Sequence, residues 1–232
     1  MRQVLVLIMK KIYLDYAAST PVDPRVVKVM EPYFMKMYGN PHALHRFGQE
    51  ASAAVFSARR QIAQSINADY KEIIFTGSAT EANNLALRGI VRGYRIQNLG
   101  FRKNVVSKPL NFIVSSIEHE SVLETCRDLE REGLAEIVYV PVSRDGFVDL
   151  KKLKAALNER TVLVSVMYAN NEVGTIQPIQ EIAKIIRGYR VQGLGYRVHS
   201  LGFSERTTKA VPTPKPYSLY PLFHTDAVQA FQ

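Results

Sequence analysis

Cysteine is almost missing from this chain of 232 residues, with Cys126 the single example. One thiol cannot make an internal disulfide, a CxxC redox pair or a structural zinc cluster, so the reducing cytoplasm is the expected compartment. Tryptophan is absent altogether. Long apolar runs are absent too. The segment Val4–Met9 is too short to span a bilayer and is followed by Lys10 and Lys11, not by a small-residue cleavage site, which argues against a secretory signal. Met9 offers a second translation start, and residues 1–11 are read as an extension without a role. Neither GxGxxG nor GxxxxGK[ST] occurs, which counts against a nucleotide site.

Acidic residues are in deficit. Against 30 Lys+Arg stand 21 Asp+Glu, a formal net charge of +9. On a compact surface such a surplus points to nucleic acid or an anionic membrane. Here it lies in two segments. Gly93–Lys108 carries Arg95, Arg102, Lys103 and Lys108 with no acid, and Arg187–Leu222 carries six cations against Glu205, so the remainder is formally neutral. The same segments hold a repeat, GYRIQNLGFR at Gly93–Arg102 and GYRVQGLGYR at Gly188–Arg197. Each unit opens on Gly and offers few apolar positions, so flexible insertions at about 93–108 and 188–222 are expected, not helices. Arg and Tyr interleaved could stack on RNA bases, but a repeat tolerated in surface loops accounts for them more simply, and neither nucleic acid nor membrane is an expected partner.

The rest of the chain alternates helical and strand periods. Asp23-Pro24 opens a helix to about Tyr38, and an apolar stripe of Ala51, Val55, Ala58 and Ile62 marks another from about Gly48 to Ile66. Strand-like runs follow at Glu72–Thr76, Asn111–Ser115, Glu136–Val140, Thr161–Met167 and Leu219–Phe223, with helices at about Thr80–Arg92, Ser121–Glu132, Leu150–Leu157 and Pro178–Arg187. Strands apolar throughout suit a sheet covered on both faces. The expected fold class is α/β, a three-layer domain over 12–232 with a mostly parallel sheet, large enough to bury a core.

Polar turns follow the predicted strands, at the edge where parallel sheets bind ligands. Gly77-Ser78-Ala79-Thr80 runs into a helix, as an anion site or as an ordinary Ser/Thr N-cap. His119 stands between a strand end and a helix start, where it could stack on a ring, move protons or simply hydrogen-bond within its loop. Tyr168–Thr175 is rich enough in Asn and Gly to bind something or merely to turn. Asp226 follows the last strand, a costly place for a carboxylate without a cationic partner. A phosphate cradle, a stackable ring, an amide and a carboxylate together match pyridoxal phosphate, whose ring nitrogen a carboxylate keeps protonated. His42 and His45 are poorly spaced for a metal and have no third ligand, so no metal is expected.

Six stretches, IYLDYAASTPVDPRV (Ile12–Val26), GNPHALHRFG (Gly39–Gly48), FTGSATEANNLA (Phe75–Ala86), EHESVLETCRDLEREG (Glu118–Gly133), VSVMYANNEVGTIQPI (Val164–Ile179) and HTDAVQAF (His224–Phe231), strongly resemble the cysteine desulfurases of the class V aminotransferase group, fold-type I pyridoxal phosphate enzymes. The resemblance implies that Ala79 and Thr80 hold the cofactor phosphate, that His119 stacks on the pyridine ring and assists proton transfer, and that Asn171 contacts the ring substituents. It further implies that Asp226 pairs with the pyridinium nitrogen and Gln229 with the phenolic oxygen, while Asp15, Tyr16 and Ala17 lie near the substrate mouth. Members of the group take sulfur from L-cysteine, release L-alanine and pass on a persulfide for iron–sulfur cluster or thio-cofactor assembly, as homodimers that meet a scaffold or sulfur-acceptor protein. Their Schiff-base lysine follows the HTDAVQ-type motif in a Ser-x-His-Lys segment, and no such segment occurs here. The expectation is a large domain incomplete at its C-terminus and inactive by itself. Cys126, on the apolar stripe of its helix with Val122 and Leu129, is expected in the core and not as the sulfur carrier. Alternatives are another class V enzyme, such as a selenocysteine lyase or an aminotransferase, and a non-enzymatic remnant whose basic repeat binds RNA.

Overall fold

The computed structural model describes residues 11–99, 109–189 and 221–230, without the side chains of 95–99. The chain separates into two compact units, Met1–Thr76 and Gly77–Gln232, where the sequence suggests one domain over 12–232. The bulk of both basic segments lies outside the described residues.

In the first unit, α1 (Pro24–Met35) starts where Asp23 accepts the backbone N–H of Arg25 and Pro24 fills the first helical position. It stops at Met35, three residues short of the sequence expectation. α2 (Arg46–Ser65) begins two residues earlier than expected because the His45 ring caps it, its Nδ1 accepting the Gly48 N–H at 3.3 Å. A 3-10 turn at Tyr70–Glu72 follows, closed by a capping box between Asp69 and Glu72. The strand expected at Glu72–Thr76 is a correction. Ile73 has extended backbone angles, but the segment pairs with no strand among the described residues, and without a ladder an apolar run is not a sheet strand.

The second unit is built on β1 (Leu110–Ser115), β2 (Ala135–Val140), β3 (Thr161–Ser165) and β4 (Leu222–His224), in the order β2-β1-β3-β4 and parallel throughout. α3 (Ala79–Leu99) precedes β1, and between the strands run α4 (Glu120–Arg131), α5 (Leu150–Ala156) and α6 (Ile179–Gly188). Alternation along β1 sends Phe112 and Val114 to one face, into a cluster with Leu87 and Val91 of α3 and Val122, Cys126 and Leu129 of α4. Ile113 goes to the other face with Leu153 of α5 and Ile182 and Ile186 of α6. Two helical layers thus enclose the sheet, the three-layer α/β class read from the sequence.

α3 corrects a second expectation. It continues through Gly93 to Leu99, into the first repeat segment. Each Gly costs about 1 kcal/mol relative to Ala, but extending a helix already nucleated and anchored at Leu87 and Val91 adds one hydrogen bond per residue without a new nucleus.

Candidate functional site

Strand order decides where this sheet can bind a ligand. β1 sits between β2 and β3, and the chain leaves β1 toward α4 on one face and β3 toward α6 on the other. Connections that part in this way open a crevice outside the carboxyl ends of β1 and β3. The ladder continues past the strands, with the Val166 N–H on the His224 carbonyl at 3.1 Å and the Tyr168 N–H on the Asp226 carbonyl at 2.8 Å. Asp226 is thereby held in register at the mouth of that crevice.

At its floor lies Glu118, only 5% exposed. Its carboxylate accepts the Met167 N–H at 2.6 Å and the Ser165 hydroxyl at 3.2 Å. Ser165 also meets His224 Nδ1 at 2.9 Å, so one carboxyl ties together the ends of β1, β3 and β4. Burial pushes Glu118 up to about 7 from 4.5, with the Asp226 charge adding to the effect and hydrogen bonds from Met167, Ser165 and Ser115 opposing it. Burial likewise depresses His224 below its ordinary range, partly offset by Asp226.

Above this floor the structure brings two of the predicted site residues into one network. His119 caps α4, its Nδ1 accepting the Ser121 N–H at 3.1 Å and lying 2.8 Å from the Ser121 hydroxyl. Asn83, 5% exposed, donates from Nδ2 to Ser121 Oγ and to Asp226 Oδ2, both at 2.9 Å. Asp226 Oδ1 accepts the Val228 N–H at 3.1 Å. None of the ion pairs among the described residues involves Asp226. A carboxylate taken out of water and held by neutral donors alone suits a cationic ligand, such as a protonated pyridine. The buried Thr225 hydroxyl beside it has no hydrogen-bond partner among the described residues.

Ala79 and Thr80 form the first turn of α3, one turn before Asn83, so the helix that positions the Asp226 partner also presents its free N-terminal N–H groups. The N-cap reading holds there as well, since the Ser78 hydroxyl accepts the Glu81 N–H at 3.1 Å while the Glu81 carboxylate folds back onto the Gly77 N–H at 2.7 Å. After β3 it is Asn170 that shapes the turn, accepting the N–H groups of Glu172 and Val173 and donating to the Ile117 carbonyl at 3.0 Å. Asn171 is half-buried beside it and outside the His119–Asp226 network. Gln229 stands in the turn closed by the Ala230 N–H on the Ala227 carbonyl. Cys126 is fully buried, and burial pushes its thiol up to about 12, the state of a core residue and not of a nucleophile.

The sequence reading did not single out Asn83, Ser121 or Glu118. The one available signal for Asn83 was its spacing, one helical turn from Thr80. Ser121 and Glu118 flank His119 within two residues, but nothing local distinguishes them from ordinary cap residues.

The class-V aminotransferase family model matches residues 12–192. The chain is 49% identical over 178 residues to the cysteine desulfurase IscS of Rickettsia massiliae (strain Mtu5), covering 76% of this chain and 40% of that protein. Among solved structures, a NifS-like protein superposes with a TM-score of 0.75 at 32% identity, over 95% of this chain and 50% of the other. SspA in complex with cysteine superposes with a TM-score of 0.68 at 35% identity, over 76% of this chain and 47% of the other. The chain therefore spans about two fifths of the length of the curated relatives it matches.

Proposed function

Because the chain belongs to the class-V aminotransferase family, we propose that it carries the cofactor-holding part of a pyridoxal phosphate-dependent cysteine desulfurase. The observation that carries this reading is the Asp226–Asn83–Ser121–His119 network at the β1/β3 crevice. It joins a buried carboxylate without a cationic partner among the described residues to an imidazole whose Nδ1 is already engaged. The similarity to IscS supports the activity, and the cysteine held by SspA supports L-cysteine as the substrate.

In this reading the N–H groups of Ala79 and Thr80 receive the cofactor phosphate, where the helix dipole favours negative charge. Asp226 holds the proton on the ring nitrogen. His119 covers the ring face and exchanges protons from Nε2, while Asn171 and Gln229 hydrogen-bond the ring oxygen and its neighbouring substituents. Bound pyridoxal phosphate supplies the electron sink that weakens bonds at the substrate α-carbon. A homodimer, an iron–sulfur scaffold or other sulfur-acceptor partner and a cytoplasmic location belong to the same proposal. The location is supported by the single buried thiol, Cys126.

Equilibrium dialysis of the purified chain against pyridoxal phosphate tests the site. Binding is expected, and Asp226→Ala is expected to weaken it roughly 10- to 100-fold, the value of one charge-assisted hydrogen bond. Absent binding, or equal affinity in the variant, would overturn the assignment. A polypeptide of these 232 residues contains no Ser-x-His-Lys segment, so with cofactor and L-cysteine it is expected to release no sulfide. Sulfide above the protein-free control would mean that one of its own lysines serves.

A further inference from the structure

We propose that Asn83 is a positioning residue that transmits the orientation of the Asp226 carboxylate, through the Ser121 hydroxyl, to the ring of His119. The inference deepens the cofactor reading and rests on it for its catalytic meaning, although the relay itself is a property of the unliganded chain.

Donor direction is settled at every link. An Asn amide has a two-proton end and an acceptor end. Asp226 Oδ2 lies 2.9 Å from Asn83 Nδ2, and turning the amide over would set its carbonyl against the carboxylate. The carboxylate therefore fixes the amide. The second proton on Nδ2 then goes to Ser121 Oγ, also at 2.9 Å. With Oγ receiving that proton, the serine hydroxyl is free to donate its own, and His119 Nδ1 stands 2.8 Å away. The Ser121 backbone N–H reaches the same Nδ1 at 3.1 Å. Nδ1 thus accepts twice and carries no proton. The neutral ring is the Nε2–H tautomer, and any proton His119 gives or takes moves at Nε2.

The relay crosses three elements. Asn83 is on α3, Ser121 on α4, and Asp226 follows β4. Asn83 and Asp226 are buried at 5% and 8% exposure, and Ser121 at 8%, so water does not compete freely for these protons. Two groups that the cofactor reading gives separate tasks, one at the ring nitrogen and one over the ring face, are in this way mechanically and electrostatically joined by a single side-chain amide.

The test is the imidazole nitrogen spectrum of the full unliganded chain, labelled with nitrogen-15 at histidine and assigned by loss of the His119 signals in His119→Gln. In the unsubstituted chain Nδ1 is expected in the bare-acceptor range and Nε2 in the protonated range, with the Nε2–H tautomer strongly dominant. Ser121→Ala is expected to lower the ratio of Nε2–H to Nδ1–H about five- to tenfold, the effect of losing one hydrogen bond to Nδ1, and Asn83→Leu, which leaves the Ser121 hydroxyl free to accept from Nδ1–H instead of donating to Nδ1, about two- to threefold. Ser121→Ala removes a single oxygen and leaves the helix cap, so it stays informative even if Asn83→Leu fails to fold. An unchanged ratio in folded Ser121→Ala would overturn the relay, showing that the backbone cap alone sets the ring, and an unchanged ratio in folded Asn83→Leu would overturn the positioning role of Asn83. Failure of the cofactor reading is scored separately. A chain that shows the tautomer shifts but retains no pyridoxal phosphate keeps the relay and loses the reading.

Discussion

The stability of the sheet unit is expected to fall by about 3 kcal/mol as pH rises from 4.5 to 7, on account of Glu118 alone. Its carboxyl is raised in the folded chain, so the sign is opposite to that of a salt-bridged acid. Below about 4.5 the group is protonated whether the chain is folded or not, and the contribution is fully present. Between about 4.5 and 7 the unfolded chain gives up its proton while the folded chain keeps it, and unfolding gains ground with every pH step. Above about 7 both forms are ionised and the loss is complete. Because other carboxylates titrate over the same range, the measurement is a difference. Urea unfolding of the parent and of Glu118→Gln at several pH values should give curves that diverge by about 3 kcal/mol, the parent losing stability relative to the amide as pH rises. Parallel curves would show that the buried carboxyl is solvated or paired in a way its surroundings do not reveal.

Phe112→Ala is expected to cost the same unit about 3–5 kcal/mol. Phe112 is fully buried in β1, in register with Ile137 of β2 and Leu163 of β3. Truncation leaves a cavity between the sheet and the helices α3 and α4, and neighbouring strands fixed by their ladders can collapse into it only partly. Against a typical total of about 5–15 kcal/mol for a domain, that loss removes about a fifth of the stability at the high end of the range and most or all of it at the low end. Phe112→Leu, which keeps most of the volume, should cost under about 1.5 kcal/mol. A truncation cost below about 1 kcal/mol in urea unfolding would mean that the core around Phe112 rearranges to fill the space.

Local patterns in the sequence carried the sheet and its helices further than they carried the site. β1 and β3 are runs whose neighbours in the fold cover them on both faces, and such runs announce themselves by apolarity alone, whereas β2, at the end of the strand order, leaves Glu136 and Tyr139 exposed. Glu72–Thr76 has the same look, but a strand also needs a partner, and pairing is not a property of five residues. Gly93 shows the opposite failure, since its propensity argues against helix and the helix built ahead of it prevails. His119 and Asp226 stand out as polar residues at strand ends. The residues that join them do not. Asn83 and Ser121 are unremarkable polar side chains in amphipathic helices, and their meaning comes from a hydrogen bond that spans 143 positions of sequence. Glu118 looks like one more acid near a helix start until the folded sheet places it beneath Ser165 and Met167.

That span of 143 positions has a consequence for the order of assembly. β1 and β3 pair across 50 positions, as in the Asn111–Thr161 contact, and β4 returns to β3 from 59 positions away in the Ser165–His224 contact. The entropy of closing these two loops differs little, but synthesis from the N-terminus delivers β4 after β1, β2 and β3, so Asp226 is the last member of the site to arrive. A ligand that binds only the completed site adds its free energy to that final pairing, by RT ln(1 + [L]/Kd), and acts as a latch on the terminal strand. On the proposed cofactor reading, pyridoxal phosphate supplied during synthesis would then raise the share of the chain that escapes proteolysis, quite apart from any turnover it supports.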